Sequence, residues 1–287
     1  MPASERQAAG HLRIWHQSFT TLADVPAYRD ALHARIAKVV RPGTEVVLHG
    51  QIPGTYSTNY PGGDLGFSAL FALHGLQWIA AAREAERQGF DAMVCATMSN
   101  PLIEELRTLV DIPVIGYGET VLTLSRLYGR RFGMLCFIAG RAGFWPEKLR
   151  EWGFADRFVG VRGLGVGFDA VIGGLQDEAA RTGVVAAVRE AGEALVRETG
   201  ADVIVPSEMP LNLLLALAGV HEIGGATVMD GLASVLKMAE MQADLRLLSG
   251  MQPSCNGFFH ARPPRARVDE VMRFYGLDGL GGRIQAD

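Results

Sequence analysis

Short, β-rich apolar runs alternate with longer amphipathic ones along this chain. Arg13 to Trp15, Glu45 to His49, Asp91 to Ala96, Pro113 to Gly116, Phe132 to Phe137, Asp202 to Val205 and Thr227 to Met229 read as strands. Asp24 to Val40 and Ser68 to Gln88 carry the longer period of helices. The run from Asp91 to Ala96 is almost continuously apolar, as expected of a strand buried on both faces of a parallel sheet. Strand-helix alternation of this kind predicts a doubly wound α/β architecture.

An internal repeat sharpens that reading. Gly89-Phe-Asp91-Ala-Met-Val94-Cys-Ala-Thr97-Met98 aligns with Gly200-Ala-Asp202-Val-Ile-Val205-Pro-Ser-Glu208-Met209. Each copy follows an amphipathic helix, Leu76 to Gln88 in one case and Val184 to Thr199 in the other. Each glycine stands where a helix end calls for a left-handed residue. Ile115 to Gly118 pairs more loosely with Val228 to Gly231. Duplication predicts two pseudo-symmetric Rossmann-like lobes, each with a central parallel sheet and with a site in the cleft between them. One lobe is expected from 12–122 plus 226–260 and the other from 123–225, with 1–11 and 261–287 as tails. In open parallel sheets ligands bind beyond the carboxyl ends of the strands. The repeat therefore puts Thr97 and Glu208 at equivalent strand ends, one per lobe.

Composition narrows the function. Apolar residues make up 48% and charged residues 20% of the 287, with 35 glycines, which suits a compact α/β protein. A net charge of −4 offers no basic stripe for nucleic acid. No apolar run is long enough for a membrane span, and Met1 to Gly10 reads as a disordered polar leader. Cys95, Cys136 and Cys255 lack metal or disulfide spacing, and their sparse, odd count suits a reducing cytoplasm. Gly163-Leu-Gly-Val-Gly167 has the wrong spacing for a dinucleotide fingerprint. No metal and no organic cofactor are expected.

The run Asp91 to Pro101, then Val110-Asp-Ile-Pro-Val-Ile-Gly-Tyr-Gly-Glu119, then Gly129-Arg-Arg-Phe-Gly133, resembles the first half of hydantoin racemase-like proteins. Gly200 to Val205 and Val228-Met-Asp230-Gly231 resemble the second half. The resemblance to the aspartate/glutamate/hydantoin racemase superfamily runs from Arg13 to about Leu247. It implies two-lobed, cofactor-free, self-associating enzymes that racemise amino acids or hydantoins, isomerise maleate or decarboxylate arylmalonates. It also implies one catalytic cysteine per lobe, because a thiol with an ordinary pKa of about 8.5 exchanges protons readily. This chain departs from the pattern at both positions, which are Thr97 and Glu208. Cys95 and Cys136 read as core residues, and Cys255 has no assigned place.

Glu208 is the expected acid/base, since a desolvated carboxylate can be raised toward neutrality. Its structural alternative is a helix cap or a solvated loop residue. Thr97 is expected to position substrate or water. His16 is a candidate proton shuttle, with Gln17 and Ser18 as substrate-carboxylate contacts in the first strand's loop. Met98, Ser99 and Asn100 would line the same end, with Asn100 as N-cap and Pro101 opening the helix that carries Glu104 and Glu105. Tyr117 and Glu119 would line or support the site ahead of Thr120, and Ser207 and Met209 flank Glu208. Asp230 reads as a helix cap. Tyr56 and Tyr60, in the turn-rich Gly54 to Gly63 segment, are candidate lid residues. The expected activity is racemase- or isomerase-like proton transfer on a small carboxylate, hydantoin or imide-like carbonyl compound. A hydrolase or carbon-carbon lyase using Glu208, and a binding protein without catalysis, are the alternatives. The expected partners are a small-molecule substrate and further copies of the chain, with no nucleic acid and no membrane.

Overall fold

The computed structural model describes residues 10–138 and 140–286, so the expected leader at Met1 to Gly10 lies almost wholly outside the described residues. The chain divides into two compact units. The first comprises the chain up to Val25, Val39–Gly116 and Leu236 onward, and the second comprises Pro26–Lys38 and Tyr117–Val235.

The first unit is built on β1 (Leu12–Gln17), β2 (Thr44–His49), β3 (Ala92–Cys95) and β4 (Val114–Gly116), in the order β2-β1-β3-β4 and all parallel. All four residues of β3 are buried, as its unbroken apolar run requires. The Ser68–Arg87 helix lays Trp78, Ala81, Ala82 and Ala85 into one cluster with Trp15, Phe90, Met93 and Cys95. Small alanines let the helix approach closely, while the large rings fill what remains. Trp15 stacks on His49 with ring centroids 3.3 Å apart, which keeps His49 at the end of β2 out of water.

The second unit carries β5 (Phe132–Cys136), β6 (Phe158–Gly163), β7 (Val203–Pro206), β8 (Glu222–Ile223) and β9 (Ala226–Val228). Their order is β6-β5-β7-β9-β8, and only β8 runs antiparallel to its neighbour. The Glu178–Thr199 helix is capped by Asp177, which accepts from Ala180 N at 2.6 Å, and ends on left-handed Gly200. Alternating strands and helices around central parallel sheets give the expected α/β class.

The duplication has a physical core. In the first unit Asp91 accepts a hydrogen bond from Arg13 N at 2.8 Å, at the start of β1. In the second Asp202 accepts from Arg131 N at 2.7 Å and Arg130 N at 3.1 Å, ahead of β5. Each carboxylate thus ties the opening of its own strand to the neighbouring one. Gly89 and Gly200, both left-handed, turn the chain into those aspartates.

The expected division differs at 117–122, which belong to the second unit, and in three further places. Residues 226–235 fall in the second unit, because β9 pairs with β7 and Asn212 bonds to Met229 O and Leu232 N. The Pro26–Val39 helix joins them there, with Arg35 paired to Asp230 at 2.5 Å. Of the expected tail at 261–287, residues 261–286 are structured in the first unit. They carry the Arg265–Phe274 helix, whose Asp269 pairs with Arg83, while Arg265 reaches Glu86 and Asp111.

Two predictions follow from these contacts. Replacing Asp202 with alanine strips the start of β5 of its acceptors and should cost about 2 kcal/mol in urea unfolding. Burial, the larger influence, lowers the His49 pKa from 6.5 to about 4, against a weaker opposing bond to Val47 O. The folded state thus resists protonation that the unfolded chain accepts. Its contribution is full above pH 6.5 and is lost as pH falls toward 4, by up to about 3 kcal/mol. A His49→Phe variant should lose that slope while keeping the stack on Trp15.

Candidate active site

In the first unit, the candidate residues gather at the carboxyl ends of β1 and β3. Ser18 N donates to His49 O at 2.7 Å, Ala96 N donates to Gln17 O at 2.9 Å, and Asn100 N closes a turn onto Thr97 O at 3.2 Å. The Thr97 and Ser99 hydroxyls lie 3.4 Å apart. Thr97 is half-buried, whereas Met98, Ser99 and Asn100 are buried. Asn100 packs over β4, where a Cβ on Gly116 would stand 2.7 Å from its Oδ1. The glycine is needed for that approach.

Several expectations change here. Asn100 is not a helix cap, and Pro101 does not open a helix. Asn100 and Leu102 are both left-handed, at φ 45 and 54, so the helix begins only at Ile103. Gln17 is committed to the scaffold. Its Oε1 accepts from Trp15 Nε1 at 2.9 Å, and its Nε2 donates to Gly50 O at 2.9 Å and Ser18 O at 3.3 Å. His16 is fully buried within β1. Tyr56 is part of the core cluster's edge rather than a cover, with its hydroxyl on Phe19 O at 2.6 Å. Tyr60 is half-buried ahead of the Pro61–Gly66 turn, its ring packed where a Cβ on Gly62 would fall.

The second unit holds the other group. Pro206 ends β7, and the chain turns through Ser207 and Glu208 into the Met209–Leu217 helix. Ser207 N donates to Leu135 O at 2.9 Å, which fixes this turn beside the end of β5. Glu208 occupies the capping position with extended backbone, yet its side chain makes no cap bond. The carboxylate turns instead to β5. Oε1 accepts the Cys136 thiol at 2.9 Å, and Oε2 accepts Phe137 N at 3.2 Å. Glu208 is 6% exposed, Ser207 1% and Cys136 1%, so water does little to solvate this charge.

Burial pushes the Glu208 carboxyl above its ordinary range. The Cys136 thiol, the Arg141 charge, the Ser207 hydroxyl and the Phe137 amide pull the other way. The same burial, reinforced by the Glu208 charge, pushes the Cys136 thiol up to about 12. Tyr117 opens the Tyr117–Ser125 helix, fully buried, and donates to Pro206 O at 3.4 Å. Its hydroxyl therefore braces the turn that carries Glu208. Gly231 makes room for that ring, since a Cβ there would sit 2.3 Å from the Tyr117 hydroxyl. Asn212 holds the next turn of the unit, taking Leu232 N at 3.0 Å and giving to Met229 O at 3.2 Å. Asp230 caps the following helix through Ala233 N at 3.0 Å. Met209 is buried, and Glu119 is half-buried on the Tyr117–Ser125 helix.

The structure thus brings Glu208, Ser207, Met209 and Tyr117 together in one unit. Thr97, Met98, Ser99, Asn100 and Ser18 share a sheet end in the other. Cys136, Arg141 and Asn212 were missed by sequence reasoning. Cys136 read as core because its run is apolar, and only the adjacency of β5 and β7 reveals its neighbour. Among the described residues no group of three or more His, Cys, Asp or Glu is arranged to hold a metal ion. No described helix is long and apolar enough to cross a membrane.

Comparison with known proteins agrees with the α/β fold. A hydantoin racemase from Pseudomonas sp. (strain NS671) is 25% identical over 174 residues, covering 58% of this chain and 64% of that protein. The match therefore spans slightly less than two thirds of that relative's length. Allantoin racemase from Klebsiella pneumoniae shares the fold with a TM-score of 0.68 at 21% identity, over 88% of this chain and 94% of that one. An arylmalonate decarboxylase does so with a TM-score of 0.54 at 19% identity, over 80% and 92% of the two chains. The profile described as Asp/Glu/Hydantoin racemase matches residues 25–239. With the profile covering most of its length, the chain belongs to the Asp/Glu/hydantoin racemase family.

Proposed function

We propose that this enzyme moves a proton at a carbon next to a carbonyl in a small carboxylate, hydantoin or imide-like compound, with Glu208 as the acid/base and no two-thiol mechanism. The observation that carries this reading is the buried Glu208 carboxylate, met by Cys136 and Phe137 at a strand end. A carboxylate raised by desolvation is a stronger base than one in water, and protonated it is an acid of useful strength near neutrality. Glu208 takes the α-proton, and the electron pair left on carbon delocalises onto the carbonyl oxygen. Isomerisation follows when the planar enolate takes a proton on its opposite face, from water or after turning over against protonated Glu208, which restores the carbonyl with inverted configuration. The developing oxyanion needs donors, a role that suits hydroxyl or backbone N–H groups. Gln17 is excluded from it by its bonds to the scaffold.

A carbon-carbon lyase is the second reading. The residue at the first of the two family cysteine positions is Thr97, and a hydroxyl without an activating partner is a poor base. A single acid/base group delivers its proton to one face of the substrate, which fits cleavage followed by stereospecific protonation. The fold likeness to arylmalonate decarboxylase makes arylmalonates the first lyase substrates to try.

Incubation in heavy water with 5-substituted hydantoins, allantoin, maleate and arylmalonates, followed by proton NMR, tests both readings. Deuterium at the α-carbon without a new compound marks the isomerase, and loss of carbon dioxide marks the lyase. Glu208→Gln should lower either rate by about 10²–10⁴-fold while leaving the unfolding midpoint near that of the parent. Retained turnover in that variant would refute the assignment. Because the base must be ionised, the rate should fall as pH drops through a Glu208 pKa lying above the ordinary 4.5.

A further inference from the structure

Both oxygens of Glu208 already have donors, and the two donors are consecutive residues at the end of one strand. Oε1 takes the Cys136 thiol at 2.9 Å and Oε2 takes Phe137 N at 3.2 Å. A carboxylate offers about four lone-pair positions. These two bonds leave one on each oxygen for a reacting proton, and they fix the plane of the group. We propose that Cys136 is a positioning residue for Glu208, its thiol acting as a fixed S–H donor that aims the carboxylate, and not as a base or nucleophile of its own. This rests on the reading of Glu208 as the acid/base.

The chemistry of the pair favours that division of labour. Ionising Cys136 would set a second negative charge against Glu208 in a site that water scarcely reaches. The thiol therefore keeps its proton and remains a donor. The Cys136 Sγ also lies 3.4 Å from Ile138 O, so its proton has two acceptors to choose between, and the charged one is nearer. A thiol is a weak donor beside a hydroxyl. It can hold the carboxylate without drawing it down so far that it ceases to be a base. The other groups facing Glu208 are the Arg141 charge from beyond β5, the Ser207 hydroxyl next to it, and the buried Tyr117 hydroxyl. Tyr117 is spoken for by Pro206 O, and burial keeps it neutral.

Infrared spectroscopy of the S–H stretch tests the contact without any substrate. The band of Cys136 is the one that disappears in Cys136→Ser. It should move to higher frequency as pH falls and Glu208 takes up a proton, and should start there in Glu208→Gln. A band indifferent to both changes overturns the proposal, and Cys136→Ala identifies the band in the wild-type titration if Cys136→Ser fails to fold. In turnover, Cys136→Ala should move the acid limb of the pH profile up by about one unit. Cys136→Ser, with its stronger donor, should bring the limb back to the wild-type position or below. A residue that merely fills space would not order the three limbs in this way. If Glu208→Gln is inactive while the S–H band is inert, only the role of Cys136 falls. If Glu208→Gln stays active, the functional reading falls instead.

Discussion

A carboxylate can leave water only where fixed donors replace it, and Glu208 leaves water almost completely. Its place in the fold follows from that need. The donors must sit at the end of a strand next to β7, and β5 supplies them from two consecutive positions. The turn that carries Glu208 must be rigid, and Leu135 O and the Tyr117 hydroxyl brace it. Tyr117 in turn needs the bare backbone of Gly231. Each of these residues is accounted for by the task of holding one charge in a dry site.

The scaffold beneath is a duplicated device. A left-handed glycine ends a helix, an aspartate two residues later ties off the neighbouring strand, and a buried strand runs on to a polar end. One copy ends in Thr97 and the other in Glu208. A hydroxyl and a carboxylate cannot exchange roles as two thiols can, because only the carboxylate titrates in the useful range.

Much of this was legible in the sequence. Gly89-Phe-Asp91 and Gly200-Ala-Asp202 announced equivalent strand starts, because their signals are local: a helix end, a turn and an apolar run. Glu208 stands six residues beyond the second of these aspartates, just beyond the end of its strand. What depends on neighbours far along the chain was hidden. Gln17 looked like a substrate contact, but Gly50, 33 residues away, takes its amide. Cys136 looked like core, and 72 residues separate it from Glu208. The pair Asn100-Pro101 satisfied the rules for a helix start, yet two left-handed residues delay the helix to Ile103. The Arg265–Phe274 helix escaped notice because ion pairs hold it more than an apolar stripe does, and only Met272 is buried on it.

The central claim is that Glu208 is a desolvated carboxyl poised to exchange protons. Carbon-13 NMR of protein labelled at the glutamate side-chain carboxyls, with Glu208→Gln identifying the resonance, measures this directly. The account predicts a Glu208 resonance that titrates above the ordinary carboxylate range, apart from the other glutamates. A resonance that titrates at or below that range would mean a Glu208 kept permanently charged by its donors, and would contradict the account.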